Sequence, residues 1–324
     1  MPTQSNFKAA WWLSNPHLQT LGAKIFQRKK IITYPEILTL PDGDFVELAW
    51  TETPQHQNTK PIVVVLHGLE GSKNSHYARS ILSTIKTNGW IGLLMHFRGC
   101  GQQTNRLAKS YHSGDTRDIY YLTSQLQQRF KHCQFSALGF SLGGNVLTKY
   151  LAKYPDNPYQ AAAVICAPLD LASCSERINS GFSRVYQKYL LDMLKASALK
   201  KIKAQLISHI CTAKLKAIET IKEFDEKITA PLNGFSDAMD YYQQASGKTT
   251  IQEIKQPCLF IHASDDPFLN HQQTLPKEPL PAHLTFEISN KGGHVGFITG
   301  KNPFKPKFWL EQRVPEFFAN YFAI

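Results

Sequence analysis

The stretch Ala137-Leu138-Gly139-Phe140-Ser141-Leu142-Gly143-Gly144-Asn145 decides how the chain is read. The apolar run from Phe135 to Phe140 predicts a buried strand, and the periodic apolar residues from Val146 to Leu151 predict a helix. Ser141 therefore stands on a tight turn between strand and helix. A serine held there projects its hydroxyl outward, and glycines two positions to either side leave room for the bend. The helix begins at the serine, so its unbonded amides and positive dipole end face any anion formed at the hydroxyl. Alone the Gly-x-Ser-x-Gly pattern is weak, because chance supplies it in about one chain in ten of this length. The rest of the chain decides its meaning.

Working toward the N-terminus, Pro61-Ile-Val-Val-Val-Leu66 is a continuous β-branched run of the kind found in buried parallel strands, and it ends in His67-Gly68-Leu69-Glu70-Gly71-Ser72. Tyr77 to Thr87 reads as a helix, Trp90 to Met95 as a strand and Asp115 to Phe130 as a helix. Ala161 to Cys166 adds a strand beyond the serine helix. This alternation predicts an α/β fold with a mostly parallel, doubly wound sheet. Ahead of it, Ile31 to Leu40 and Phe45 to Trp50 read as strands joined at Pro41-Asp42-Gly43-Asp44. Asn15-Pro16 starts a short helix carrying Leu18, Leu21 and Ile25. That helix is expected to pack on the domain; with the aromatics before it and Arg28-Lys29-Lys30 after it, a peripheral membrane contact is the minor alternative.

Strand-like runs vanish between Asp170 and about Thr250, where Lys, Leu, Ile and Ala recur at helical spacing from Arg184 to Lys227. Residues 170–250 are therefore expected to form an inserted helical cap, with 1–169 and 251–324 as the two parts of the core. Pro257 to His262 and Leu284 to Ile288 resume the sheet, and Trp309 to Phe322 reads as a closing helix that Pro315 bends or restarts.

Two loops after these late strands complete a constellation. His262-Ala-Ser-Asp265-Asp266-Pro267 follows one strand, and Lys291-Gly-Gly-His294-Val-Gly296 follows the last. Serine needs a base, because its hydroxyl is almost never ionised at neutral pH. Histidine supplies one, and a carboxylate fixes its tautomer and stabilises the imidazolium. The order Ser141, Asp, His294 is that of the α/β-hydrolases. Asp266 is preferred to Asp265, which is expected to cap the turn. His67 is expected to bond backbone, and His96, His112 and His262 are left as structural. An oxyanion hole needs two donors aimed at one point; the amides of Leu142, directly after the nucleophile, and Leu69, just past His67-Gly68, are the candidates.

The chain has 324 residues, a net charge of +11 and 42% hydrophobic residues, which bounds a globular protein. Its basic surface raises nucleic acid or anionic membrane as partners, but no nucleic-acid motif is present and the Lys200-Lys201-Ile-Lys203 cluster reads as a solvated face. No apolar run approaches a membrane span or a secretory signal. The six cysteines show no metal-ligand spacing, so reduced thiols, no metal and a cytoplasmic location are expected.

Together, Asn15-Pro-His-Leu-Gln-Thr20, His67-Gly-Leu-Glu-Gly-Ser72, Phe97-Arg-Gly-Cys-Gly101, Gly139-Phe-Ser-Leu-Gly-Gly144 and Asp265-Asp-Pro-Phe268 resemble the YheT-like α/β-hydrolases over nearly the whole chain. The resemblance implies a Ser/Asp/His fold with a helical cap, acting on carboxylic esters or lipid esters. The expectation is a serine hydrolase of short- to medium-chain acyl or lipid esters, with Ser141, Asp266 and His294 as the triad. It would need no cofactor and no obligate protein partner. Acyl transfer to an alcohol on the same triad, or a non-catalytic binding protein on the same fold, are the alternatives.

Overall fold

The computed structural model describes residues 3–27, 29–55, 57–275 and 279–322. Arg28 of the basic cluster after the first helix lies outside the described residues. In chain order the elements are β1 (Thr3–Gln4), α1 (Pro16–Phe26), β2 (Tyr34–Thr39), β3 (Phe45–Trp50), β4 (Ile62–Leu66), α2 (His76–Thr87), β5 (Ile91–Met95), α3 (Arg117–Arg129), β6 (Phe135–Phe140), α4 (Leu142–Lys153) and β7 (Tyr159–Ile165). Helices follow: α5 (Leu171–Ile178), α6 (Ser183–Lys203), α7 (Thr212–Lys216), α8 (Ile221–Phe224), α9 (Ala230–Asn233) and α10 (Ala238–Ala245). The chain closes with β8 (Cys258–Ala263), α11 (His271–Thr274), β9 (Leu284–Ser289), β10 (Ile298–Thr299), β11 (Lys307–Phe308) and α12 (Leu310–Ala319).

Nine strands form one sheet in the order β1-β9-β8-β7-β6-β4-β5-β3-β2. Pairing is parallel from β1 to β5 and antiparallel only for β5·β3 and β3·β2. The β-branched run of β4 explains its central place. Ile62, Val64 and Leu66 bury into one apolar layer, while Val63 and Val65 bury into the other. Alternate side chains of a strand point to opposite faces, so a strand covered on both sides must be apolar throughout.

Local signals set the helix ends. Asn15 Oδ1 accepts the amides of His17 (2.9 Å) and Leu18 (3.3 Å), with Pro16 at the first helical position. Between β7 and β8 the chain is helical and carries its own apolar cluster, including Leu191, Leu194, Ile210, Leu215, Phe224 and Ile228.

Several details depart from expectation. The strand expected from Ile31 to Leu40 starts only at Tyr34, and Ile32 is exposed. The helical periodicity from Arg184 to Lys227 breaks after Lys203 into shorter pieces, and a π turn at Asp225–Thr229 joins α8 to α9. Helix α12 runs on through Pro315 rather than restarting. The missing N–H costs one bond, while burial of Val314, Phe317 and Phe318 keeps the helix in place.

Candidate active site

Ser141 follows β6 and precedes α4, at φ 50° and ψ −122°, a conformation costly for a residue with a side chain. Close packing enforces it. A Cβ at Gly139 would stand 2.5 Å from Gly143 O, and one at Gly143 would stand 2.4 Å from His67 O. The turn thus packs directly on the loop after β4. Ser141 N–H donates to Ile165 O at the end of β7 (2.8 Å), which pins the turn to the neighbouring strand.

The loops after β8 and β9 meet Ser141 from the other side. Its Oγ lies 3.0 Å from His294 Nε2, and His294 Nδ1 lies 2.8 Å from Asp266 Oδ2. The carboxylate can only accept, so Nδ1 carries the proton and Nε2 is left to accept from the serine. Asp266 is buried, and its other oxygen accepts the Phe268 amide (2.8 Å). Asp265 makes no bond to the imidazole. Its Oδ1 accepts the Gly293 amide (3.0 Å), so it ties down the histidine loop rather than capping its own turn, and burial pushes its carboxyl upward.

The two candidate oxyanion donors flank the serine. Leu142 is the first residue of α4, where amides have no helical partner. Leu69 follows Gly68, where an added Cβ would stand 3.2 Å from Ser141 Cβ. No hydrogen bond to the Leu69 or Leu142 amide is present among the described residues.

The site opens into a cavity of about 850 Å3 walled by the loop after β4, by α1 and α2, and by helices of the 170–250 stretch. Its lining is mostly apolar, with Leu190, Met193, Leu194, Ile221, Phe224 and Leu232 from those helices and Ile207 from the loop after α6.

Comparison with known proteins fits this geometry. The family pattern of the alpha/beta hydrolase fold matches residues 61–301. Over 95% of this chain and 91% of its own length, YheT of Escherichia coli (strain K12), named as a candidate esterase, is 46% identical. The chain belongs to the YheT-like α/β-hydrolases. A monoacylglycerol lipase of Saccharomyces cerevisiae is 30% identical over 76% of this chain and 56% of its own. Among solved structures, the Pyrococcus furiosus esterase Pf2001 superposes with a TM-score of 0.56 at 15% identity, covering 100% of both chains.

Several residues of this YheT-like hydrolase that motif reading left without a role hold the site. Thr20 Oγ1 accepts the His294 amide (2.9 Å), and Gln19 of the same helix bridges Leu13 O, Ile298 O and the Ile298 amide. Tyr77 OH accepts the Gly68 amide (2.8 Å), fixing the loop after β4. Glu70, at φ 51°, accepts from Tyr111 OH (2.9 Å) and from Ser197 Oγ of α6 (2.6 Å), joining that loop to the 170–250 stretch. Burial pushes the Glu70 carboxyl upward, and the two hydroxyls partly offset it. Asn145 is buried and fully engaged: its amide nitrogen donates to Ser113 O and Ala245 O, and its oxygen accepts the Gly247 amide. Apart from Gln19–Leu13 and Tyr77–Gly68, these contacts join positions 32 to 279 residues apart, which no local pattern reveals. The Asn15–Thr20 motif was the only available signal for Gln19 and Thr20.

His67 and His96 take backbone roles. Burial drives His67 down to about 3, its Nδ1 donates to Gly68 O, and its Nε2 accepts the Phe97 amide. His96 likewise spans Glu47 O and the Lys73 amide. Burial lowers His112 and His262 to about 4.

Cys166, Asp266 and His294 place three potential metal-ligating atoms within 4.8 Å of one another. The set fits a metal poorly. Burial raises the Cys166 thiol well above its ordinary value, and His294 and Asp266 are already bonded to each other. Among the described residues, no helix is long and apolar enough to cross a membrane.

Proposed function

We propose that this enzyme hydrolyses carboxylic esters through Ser141, His294 and Asp266, taking medium-chain acyl or lipid esters into the cavity beneath residues 170–250. The observation that carries the reading is the continuous line of hydrogen bonds from Ser141 Oγ through both ring nitrogens of His294 to Asp266. Ser141 Oγ attacks the ester carbonyl while its proton passes to His294 Nε2. The Leu69 and Leu142 amides receive the oxyanion, and the positive end of α4 favours the same charge. The imidazolium, held by Asp266, returns the proton to the departing alkoxide. Water, deprotonated by the same nitrogen, then attacks the acyl-serine carbonyl and frees the acid and the hydroxyl. None of these steps calls on a metal or organic cofactor.

Residues 170–250 act as a cap on a core formed by 1–169 and 251–324. Their own apolar cluster supports this, as do the apolar side chains they lend to the cavity. A volume of about 850 Å3 is at the upper end for small-molecule pockets and suits a flexible chain better than an acetyl group. The names of the relatives, an esterase and a monoacylglycerol lipase, agree with an ester substrate.

The test is labelling by a fluorophosphonate, wild type beside Ser141→Ala, followed by p-nitrophenyl esters of increasing chain length. Labelling of wild type alone, with turnover peaking beyond the shortest acyl chains, is the expected result. No labelling of folded wild type would sink the assignment and favour a binding protein. Ethyl ester formed when ethanol is added would identify acyl transfer instead of hydrolysis.

A further inference from the structure

Two helices that border the cavity each leave an apolar stripe in solvent. On α1 the stripe is Leu18 (50% exposed), Leu21 and Ile25 (56% exposed), at spacings of three and four. At the start of α6 it is Phe182, Val185 and Tyr189, each more than half exposed, at the same spacings. Such spacing puts each set on one helix face. The helices are joined: His17 Nδ1 lies 3.1 Å from Tyr186 OH, the His17 and Phe182 rings lie 4.5 Å apart, and Lys24 Nζ donates to Tyr189 OH (3.3 Å). The two stripes therefore lie side by side. Leu21, Phe182, Val185 and Tyr189 also line the cavity, so the apolar strip runs into the opening that leads to Ser141.

A third element continues it. Helix α1 packs on β10, with Gln19 bonded to Ile298, and Trp11 (72% exposed) donates its indole N–H to Lys301 O. The loop that begins there, between β10 and β11, carries Phe304 at 93% exposure between Lys301 and Lys305. Around the strip stand exposed cations: Lys24, Lys29 and Lys30 at the end of α1, Arg184 and Lys188 beside the α6 stripe, and Lys301, Lys305 and Lys307 on the hairpin. Lys29 pairs with Glu311 and Lys188 with Asp192.

We infer that this face docks on an anionic lipid bilayer, with Leu18, Ile25, Val185 and Phe304 entering the acyl boundary and the lysines and arginine meeting headgroup phosphates. Apolar side chains ringed by cations, with tryptophan at the edge, match the chemistry of a bilayer interface. A second copy fits worse, since a twofold contact would set this cationic rim against itself. The location has a use: a lipid ester enters the cavity from the bilayer along apolar side chains without crossing water. Binding does not depend on hydrolysis, so this inference and the ester-hydrolase reading fail separately.

The experiment is flotation of the full chain with vesicles of phosphatidylcholine alone or mixed with phosphatidylglycerol, at low and high salt. Wild type is expected to float with the anionic vesicles at low salt and to be released as salt screens the charges. Leu18→Glu/Ile25→Glu is expected to weaken partitioning about tenfold or more while short soluble esters are hydrolysed as before. Lys30→Glu/Arg184→Glu is expected to lose about fivefold per cation on anionic vesicles only; it also serves if the first variant does not fold. Absence of flotation, equal flotation of wild type and both variants, or self-association that the same substitutions abolish would each overturn the inference.

Discussion

Phe268 lies flat against His294, with ring centroids 4.0 Å apart and planes 16° from parallel. The turn that provides this ring also provides Asp266, whose Oδ1 accepts the Phe268 amide while Oδ2 faces His294. One short turn thus fixes both the plane and the tautomer of the imidazole. Phe268→Ala is expected to lower kcat on a short p-nitrophenyl ester up to about tenfold, in line with the worth of an aromatic pair. A change confined to KM would reduce Phe268 to a wall of the cavity.

Thr20 holds the backbone of the same histidine from the opposite end of the sequence. Thr20→Val keeps the shape and removes the acceptor. It is expected to cost about 1 kcal/mol, or roughly fivefold in kcat/KM, as the His294 amide loses its partner. Thr20→Ser, which keeps the hydroxyl, should retain activity; equal loss in both would assign the effect to packing.

Glu70 couples the loop carrying Leu69 to α6 through Tyr111 and Ser197. Glu70→Ala removes both side-chain bonds and leaves only the amide of residue 70 on Tyr111 OH, and kcat is expected to fall about tenfold to a hundredfold as Leu69 loses its aim. Ser197→Ala leaves Tyr111 in place and is expected to cost less than about threefold on short esters. The reverse ranking in steady-state kinetics would exclude Glu70 as a brace of that loop.

Asp225 gives a pH signature in stability. Burial pushes its carboxyl up to about 6, against bonds from Thr229 (2.7 Å) and Tyr242 (2.8 Å) that favour the charged form. A carboxyl raised on folding binds its proton more tightly in the folded state. Its destabilising contribution is therefore absent below the ordinary carboxylate range and complete above about pH 6. The melting temperature of wild type relative to Asp225→Asn is expected to fall between about pH 4 and pH 6. A difference that stays constant with pH would place the titration elsewhere.

The central strands were legible because burial demands predominantly apolar runs, and β4 to β9 carry them, β9 with Thr285 and Glu287 between its more buried residues. The three loops bearing Ser141, Asp266 and His294 were legible as well, since each follows such a run. The two-residue strands β1, β10 and β11 carry no period to detect. Helix α12 contradicted a local rule at Pro315, where buried aromatics outweigh one lost backbone bond. Phe268, Tyr77, Glu70 and Thr20 lay inside quoted or predicted segments, but their roles are set by partners that only the folded chain brings near. The exposed stripe of α1 shows the limit from another side: the spacing revealed a face, and only its neighbours in space show that α6 extends it.

The bond from Thr20 to His294 spans 274 positions, and Thr3 pairs with Glu287 across a similar gap. During synthesis α1 emerges early, and its bond to His294 cannot form until that residue has left the ribosome, about 15 to 55 s later at ordinary elongation rates. The hydroxyl of Ser141 can meet the imidazole only once residue 294 has been made, so a product cut short of it lacks the base that the proposed hydrolysis needs.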